Sequence, residues 1–371
     1  MKALILTAGF GEGHNAAARA LEGALTARYG VGSAQTHDLF AEAAPRLNAV
    51  ARVAYLKLIN HWPSLWSGFY GLAAWKPIAE LLPRLLHREQ AVLAEILDTF
   101  RPDFICSTYP VYAFLVRNLR LASPLPPHFN VVTDSISIHP LWWNAGSTAW
   151  FLPNEDSAQI MRKAGINDAK IDVCGFPVSS EIAENAQRLS SPDLALGAAP
   201  RVLYLANSGT AAVRETAELL LSESKWEVTC AVGRDKELQK RLDGIAQKRT
   251  RPARILGWTN EIPQLLLTHH AVVSKAGGAT TQEAIAARCP MIVNQIIPGQ
   301  EEGNYELLRR CGGGRFAGNP RAIIAELHKI FEDGGVEWRS MREGLGLIAR
   351  PTAAQAIVER IRQRITNSEI P

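Results

Sequence analysis

The sequence predicts an α/β protein built from two doubly wound domains, and three observations carry that expectation. At 371 residues the chain exceeds what one ordinary hydrophobic core organises. Short apolar runs alternate with segments of helical period almost throughout, the pattern of parallel sheet covered by helices on both faces. The opening design also occurs twice. "KALILTAGFGEGHNAAARAL" near the start and "RVLYLANSGTAAVRETAELLL" from residue 201 both run an apolar strand into a small-residue loop and a helix.

Taken in order, "KALILT" reads as the first strand. The helix after it, from about His14 to Tyr29, places Ala17, Leu21, Ala24 and Leu25 on one face. Strands follow at "DFICS", "FNVVTD", "AWFLPN" and "KIDVCG". The stretch 188–201, "RLSSPDLALGAAPR", breaks the rhythm with Ser, Pro and Gly and reads as an interdomain linker. Beyond it "RVLYL", "WEVTCAVG", "ARILGW", "HAVVSK" and "MIVNQ" are strands, each with a following helix. Ligands of such folds sit outside the carboxyl ends of the strands, and two facing domains form a cleft there.

Composition narrows the class. A hydrophobic content of 47% with 20% charged residues is that of a soluble globular protein. An excess of +4 is too mild to indicate nucleic acid as a partner. No run approaches the length of a membrane span, and only Lys2 precedes "ALILTAGFG", so the start reads as a folded strand of a cytosolic protein. The five cysteines are scattered without a C-x-x-C pair, which argues against a zinc site or disulfide frame.

The most informative stretch is "SKAGGATTQEAIAARCPMIVNQIIPGQEEGN", residues 274–304. Gly277 and Gly278 lie between a strand and a helix expected to begin near Thr280, where bare N–H groups and the helix dipole suit a diphosphate. Glu283, expected on the first turn, has a carboxylate able to accept both hydroxyls of a ribose. Gln300, Glu301 and Asn304 are placed to meet sugar hydroxyls. A tight turn, an N-terminal helix acid and a polar surface loop form the plainer alternative.

These stretches resemble the monogalactosyldiacylglycerol synthase and processive diacylglycerol glucosyltransferase family, relatives of the peptidoglycan glycosyltransferase MurG. The resemblance rests on "GFGEGHNAAARAL", "VVTDSISIHPLWW", "VCGFPV", "ILGWTNEIPQLL", the 274–304 stretch and "RPTAAQAIVERI". It implies a GT-B fold, two Rossmann-like domains facing across a cleft. It implies an N-terminal acceptor and membrane-facing domain over 1–190 and a UDP-sugar-binding domain over 200–345. A closing helix over 346–371 would pack back towards the first domain. It assigns the ribose to Glu283, the diphosphate to Gly277 and Gly278, the hexose to Gln300 and Glu301, and the uracil to the backbone around Trp258. Asn207, Ser208, Gly209 and Thr210 resemble the second phosphate-side loop, less glycine-rich than is usual in the family. Lys275 would add charge near the diphosphate or simply be solvated. His139 and Trp142 resemble acceptor-side residues.

Inverting sugar transfer needs a base for the attacking hydroxyl. An imidazole titrates near working pH, and the helix start disfavours its protonated form, so His14 is the expected base. Gly11 and Gly13 would let the acceptor and donor approach the backbone closely, and the carboxylate of Glu12 would push the His14 pKa upward. Asp134 is the second candidate, as base or as the group orienting His14 or the acceptor. The chain has no D-x-D pair, so no metal and no cofactor beyond the donor substrate is expected.

Residues 43–90 carry six Lys or Arg against two acids, interleaved with Trp62, Trp66, Phe69, Tyr70 and Trp75. Such a segment suits an anionic membrane interface, with a buried helical pair under a basic rim as the alternative. The resemblance favours membrane contact, with the protein docked on the inner face of the cell membrane. The expected activity is inverting transfer of glucose or galactose from a UDP-sugar to diacylglycerol, with the choice of hexose open. Rivals are a MurG-like transferase with another lipid acceptor, a UDP-sugar 2-epimerase, and a non-catalytic UDP-sugar sensor.

Overall fold

The computed structural model describes residues 1–61, 80–121, 123–206, 211–298 and 301–368. It divides into two compact units. The first comprises Met1–Ser180, Ile297–Gly303 and Thr352–Pro371; the second comprises Glu181–Ile296 and Asn304–Pro351.

The first unit is built on a six-stranded sheet of β1 (Ala3–Leu6), β2 (Ala34–His37), β3 (Phe104–Ser107), β4 (His128–Val131), β5 (Ala149–Leu152) and β6 (Ile171–Val173). All pairings are parallel and the strand order is β2-β1-β3-β4-β5-β6. The two-residue period of a strand explains why both faces are apolar. Ala3 and Ile5 of β1 join Leu21 and Leu25 of the helix Glu12–Tyr29 and Ile357 and Ile361 of the helix Ala353–Ser368. Leu4 and Leu6 turn the other way, against Leu93 and Leu97 of the helix His87–Phe100 and Tyr112 and Leu115 of the helix Tyr112–Asn118.

The second unit repeats the plan with β7 (Arg201–Leu205), β8 (Glu227–Ala231), β9 (Ala253–Leu256), β10 (Ala271–Ser274), β11 (Met291–Val293) and β12 (Gly314–Phe316). Their order is β12-β11-β10-β7-β8-β9, again all parallel. Val202, Tyr204, Val228, Cys230 and Val273 form one core face with Leu220, Leu242 and Leu327. Residues 188–201 lie in this unit and are held down on it. Leu194 is buried, and the Pro192 carbonyl lies 2.8 Å from His270 Nε2.

The sequence reading differs from the structure in two kinds of place. The edge strands β2 ("AQTH") and β12 ("GRF") escape a reading based on apolar runs, because an edge strand needs no continuous apolar stretch. The helix expected near Thr280 begins at Gly278 and runs to Ala286, so Glu283 stands on its second turn and not its first. The Ser274-side glycines are taken into the helix start, Gly277 serving as its N-cap.

Candidate active site and its relatives

In each sheet the chain reverses its winding direction at one point, between β1 and β3 in the first unit and between β7 and β10 in the second. Such switch points open a crevice at the carboxyl ends of the strands. Most of the predicted residues that the structure describes collect at these two places.

In the first unit, three adjacent strands deliver one cluster. His14 follows β1, Thr108 and Tyr109 follow β3, and Thr133 and Asp134 follow β4. His14 Nδ1 lies 2.7 Å from the Thr108 carbonyl oxygen and 2.9 Å from Thr133 Oγ1. A carbonyl can only accept, so the proton of the neutral ring sits on Nδ1 and Nε2 keeps its lone pair. The ring stands edge-on to Tyr109 at 5.0 Å between centroids, beside Phe10 and Phe40. Burial lowers the His14 pKa; the Asp134 charge and the Thr108 carbonyl oppose that shift. The carboxylate that bears on His14 is therefore Asp134. Glu12, expected in that role, is exposed and paired with Arg19 at 2.5 Å.

Asp134 Oδ2 accepts from the His139 N–H at 3.1 Å and from Trp142 Nε1 at 2.9 Å. Trp142 is wholly buried and meets the cluster through this bond, and its carbonyl accepts from Trp150 Nε1 at 2.7 Å. His139 is also buried. Between them the loop turns sharply at Ile136, whose φ of 61° is rare for a β-branched residue. The Ser137 N–H closes that turn on the Ser135 carbonyl at 2.7 Å, and Asn154 Nδ2 holds Ser135 Oγ at 2.8 Å. Gly303 also presses on this loop, since a Cβ there would collide with the Ser135 carbonyl oxygen.

Among the described residues three helix starts carry glycine at the N-cap without a side-chain cap: Gly335 before Val336–Ile348 and, at the switch points, Gly11 before Glu12–Tyr29 and Gly277 before Gly278–Ala286. By contrast Asp38, Asn154, Asp235 and Asn319 cap their helices through side-chain oxygens. Uncapped first-turn N–H groups are available to a ligand. Gly11 has φ 177°, an extended backbone open to any residue, and a Cβ there would lie 3.7 Å from His14 Cδ2. Gly13 is the second residue of the same helix.

In the second unit Lys275, Gly277, Gly278, Thr280 and Glu283 gather after β10, with Glu283 half-buried. Asn304 is buried, and its Nδ2 donates to the Ala276 carbonyl at 3.0 Å, tying the helix Glu302–Arg310 to the glycine turn. Trp258 is 67% exposed just after β9. Three strand steps separate β9 from β10, roughly 14 Å at the usual strand spacing, so Trp258 is not part of the glycine cluster itself. Glu301, assigned to the first unit, is buried with its Oε2 accepting from the Ile297 N–H at 2.9 Å. Asn207, Ser208, Gly209, Thr210 and Gln300 lie outside the described residues, as do Trp62, Trp66, Phe69, Tyr70 and Trp75. Among the described residues no helix is long and apolar enough to cross a membrane. Thr108 and Thr133 escape the sequence reading, since only the order β1-β3-β4 brings them to His14.

Two parallel, doubly wound sheets with ligand-ready helix starts at their switch points define the GT-B fold. Solved structures share it. MurG of Acinetobacter baumannii matches at a TM-score of 0.57 and 9% identity, covering 98% of this chain and 100% of that one. A UDP-GlcNAc 2-epimerase of Neisseria meningitidis, bound to UDP-GlcNAc, matches at 0.59 and 12% identity, covering 98% and 100%. The family model for monogalactosyldiacylglycerol (MGDG) synthase matches residues 14–178. A processive diacylglycerol beta-glucosyltransferase of Bacillus cereus is 26% identical, the alignment covering 97% of this chain and 93% of the relative. A chloroplastic monogalactosyldiacylglycerol synthase of Spinacia oleracea is 27% identical over 98% of this chain and 73% of its own. The chain is thus similar, along nearly its whole length, to monogalactosyldiacylglycerol synthases and processive diacylglycerol glucosyltransferases.

Proposed function

We propose that this protein is a diacylglycerol glycosyltransferase. It moves glucose or galactose from a UDP-sugar to the free hydroxyl of 1,2-diacylglycerol with inversion, giving a β-glycosyldiacylglycerol. The observation that supports this reading most is His14, whose Nδ1 is engaged by Thr108 and Thr133 while Nε2 keeps its lone pair.

In the proposed step Nε2 takes the proton of the acceptor hydroxyl as its oxygen attacks C1 of the hexose and the bond from C1 to UDP breaks. General-base assistance of this kind contributes roughly 10²–10⁴ in rate. The imidazolium that forms is stabilised by the Asp134 charge, and Asp134 is itself held by His139 and Trp142. Trp142 acts through Asp134, because its buried ring is spent on that bond. The departing diphosphate is received by the N–H groups at the start of the helix Gly278–Ala286, with Thr280 and Lys275 beside them, and Glu283 takes the ribose. Asn207, Ser208, Gly209 and Thr210 complete the phosphate side, Gln300 and Glu301 the hexose side, and Trp258 the uracil side. This neutralisation by N–H groups, in a chain without a D-x-D pair, supports a reaction that needs no metal.

The fold alone does not separate transferase from epimerase, since solved structures of both kinds share it. The near full-length similarity to glycolipid synthases favours the transferase. So do the described residues of the segment 43–90. Leu47, Val50, Leu81 and Leu85 are exposed there, as are Arg46, Arg84 and Arg88, a combination suited to docking on an anionic membrane face. Incubation of the purified protein with labelled UDP-glucose or UDP-galactose and diacylglycerol vesicles tests the reading. Lipid-linked sugar, lost in His14→Ala while UDP affinity persists, is the expected result. An epimerised sugar without glycolipid, or undiminished turnover in His14→Ala, would overturn it.

A further inference from the structure

Thr133 stands two residues past β4, is 8% exposed, and puts its Oγ1 on the same nitrogen of His14 that the Thr108 carbonyl engages. The two oxygens come from loops after neighbouring strands, so they fix the ring from two directions. In principle a hydroxyl can donate to a bare Nδ1, which would leave the proton on Nε2. Here that arrangement would set the Nδ1 lone pair against the Thr108 carbonyl oxygen at 2.7 Å, two electron-rich atoms in contact. The carbonyl therefore decides the tautomer, and Thr133 serves as a second acceptor for the same N–H.

We propose that Thr133 is a positioning residue: by sharing the Nδ1–H of His14 with the Thr108 carbonyl, it holds the ring so that Nε2 is the proton acceptor. Its part in catalysis rests on the reading of His14 as the base, while its effect on the ring does not. Asp134, next in sequence, stabilises the charged ring but spends its Oδ2 on His139 and Trp142, so it does not replace this oxygen. Glu12 is engaged with Arg19.

The test uses the full chain carrying ¹⁵N-labelled histidine, without substrates, at about pH 8 where an ordinary imidazole is neutral. His14→Gln assigns the His14 signals. Wild type and Thr133→Ser should show a proton on Nδ1 shared by both oxygens; Thr133→Val should keep that tautomer, which the Thr108 carbonyl fixes, but move the Nδ1–H proton signal upfield as one acceptor is lost. In the glycolipid assay Thr133→Val should lower kcat roughly threefold to tenfold, the worth of one hydrogen bond, with KM for the UDP-sugar unchanged and Thr133→Ser restoring the rate. Thr133→Ala removes the same oxygen and decides the matter should the valine variant fail to fold. An unchanged Nδ1–H signal in folded Thr133→Val or Thr133→Ala overturns the proposal. If that signal moves as expected but wild type makes no glycolipid, the diacylglycerol reading falls while the positioning of Nε2 by Thr133 stands.

Discussion

Lowering the pH from 7 to 5 should destabilise both units while their surface ion pairs stay intact. His128 of the first unit is 7% exposed, lies 2.8 Å through Nε2 from Ser107 Oγ, and is pushed by burial from 6.5 to about 4. His269 and His270 of the second unit are also buried and are likewise pushed to about 4. A histidine whose folded pKa lies below its unfolded one stabilises the protein while it stays neutral. As pH falls through 6.5 the unfolded chain takes up protons that the folded chain refuses, so stability drops, and the loss is complete near pH 4. For one such histidine the linkage relation gives about 2 kcal/mol between pH 7 and pH 5, and about twice that for the pair in the second unit. Glu306, held at about 2 by Arg309 and Arg310, and Glu359, held at about 2 mainly by Arg362, remain charged in this window and do not confuse the reading. Urea unfolding followed by tryptophan fluorescence at the two pH values measures the effect. His128→Gln, which keeps a polar partner for Ser107, should remove about 2 kcal/mol of pH dependence from the transition of the first unit. Equal midpoints at pH 7 and pH 5 would refute the reasoning.

Other perturbations separate packing from chemistry. In the helix Val336–Ile348, Gly344→Ala should cost about 2 kcal/mol, because the new Cβ collides with the Cys311 carbonyl; Gly346→Ala should gain up to about 1 kcal/mol, its nearest neighbour being the flexible Arg288 side chain at 3.5 Å. Thermal melts of the two variants check this opposition of sign. Gly11→Ala should lower stability by no more than about 1 kcal/mol, the cost of alanine at an N-cap, yet its methyl would lie 3.7 Å from His14 Cδ2, the carbon bonded to Nε2, and should lower kcat about tenfold or more in the glycolipid assay. Glu283→Ala should weaken UDP binding about tenfold to a hundredfold by calorimetry, with little effect on folding of a half-buried site.

Ten strands and the strand-to-helix turns at Gly11 and Gly277 were legible in the chain itself; eight of those strands are central, and a central parallel strand buried on both faces must be written as a continuous apolar run. The runs "KALILT" and "HAVVSK" show this. Strands β2 and β12 were not legible, since an edge position relaxes that demand. The helix at Gly278 was read two residues late because a glycine pair signals a turn by local propensity, whereas here it is gathered into the first helical turn. His14 and Asp134 stood out by residue type and neighbours. Their partners did not: nothing in "VVTDSISIHP" distinguishes Thr133 from a plain strand-end threonine.

Local periodicity was thus sufficient for the fold class, and residue chemistry for marking His14 as the candidate base and Gly277 and Gly278 as the proposed diphosphate turn, since each reading depends on neighbours within a few positions. Which nitrogen of His14 holds its proton was decided only by tertiary structure. That choice depends on two oxygens 94 and 119 positions away, brought together by the order in which three strands pair. The same holds for Gly344, which helix propensity alone would replace with alanine and which the Cys311 carbonyl requires to stay bare. Close approach between distant segments is a property of packing, and no local pattern encodes it.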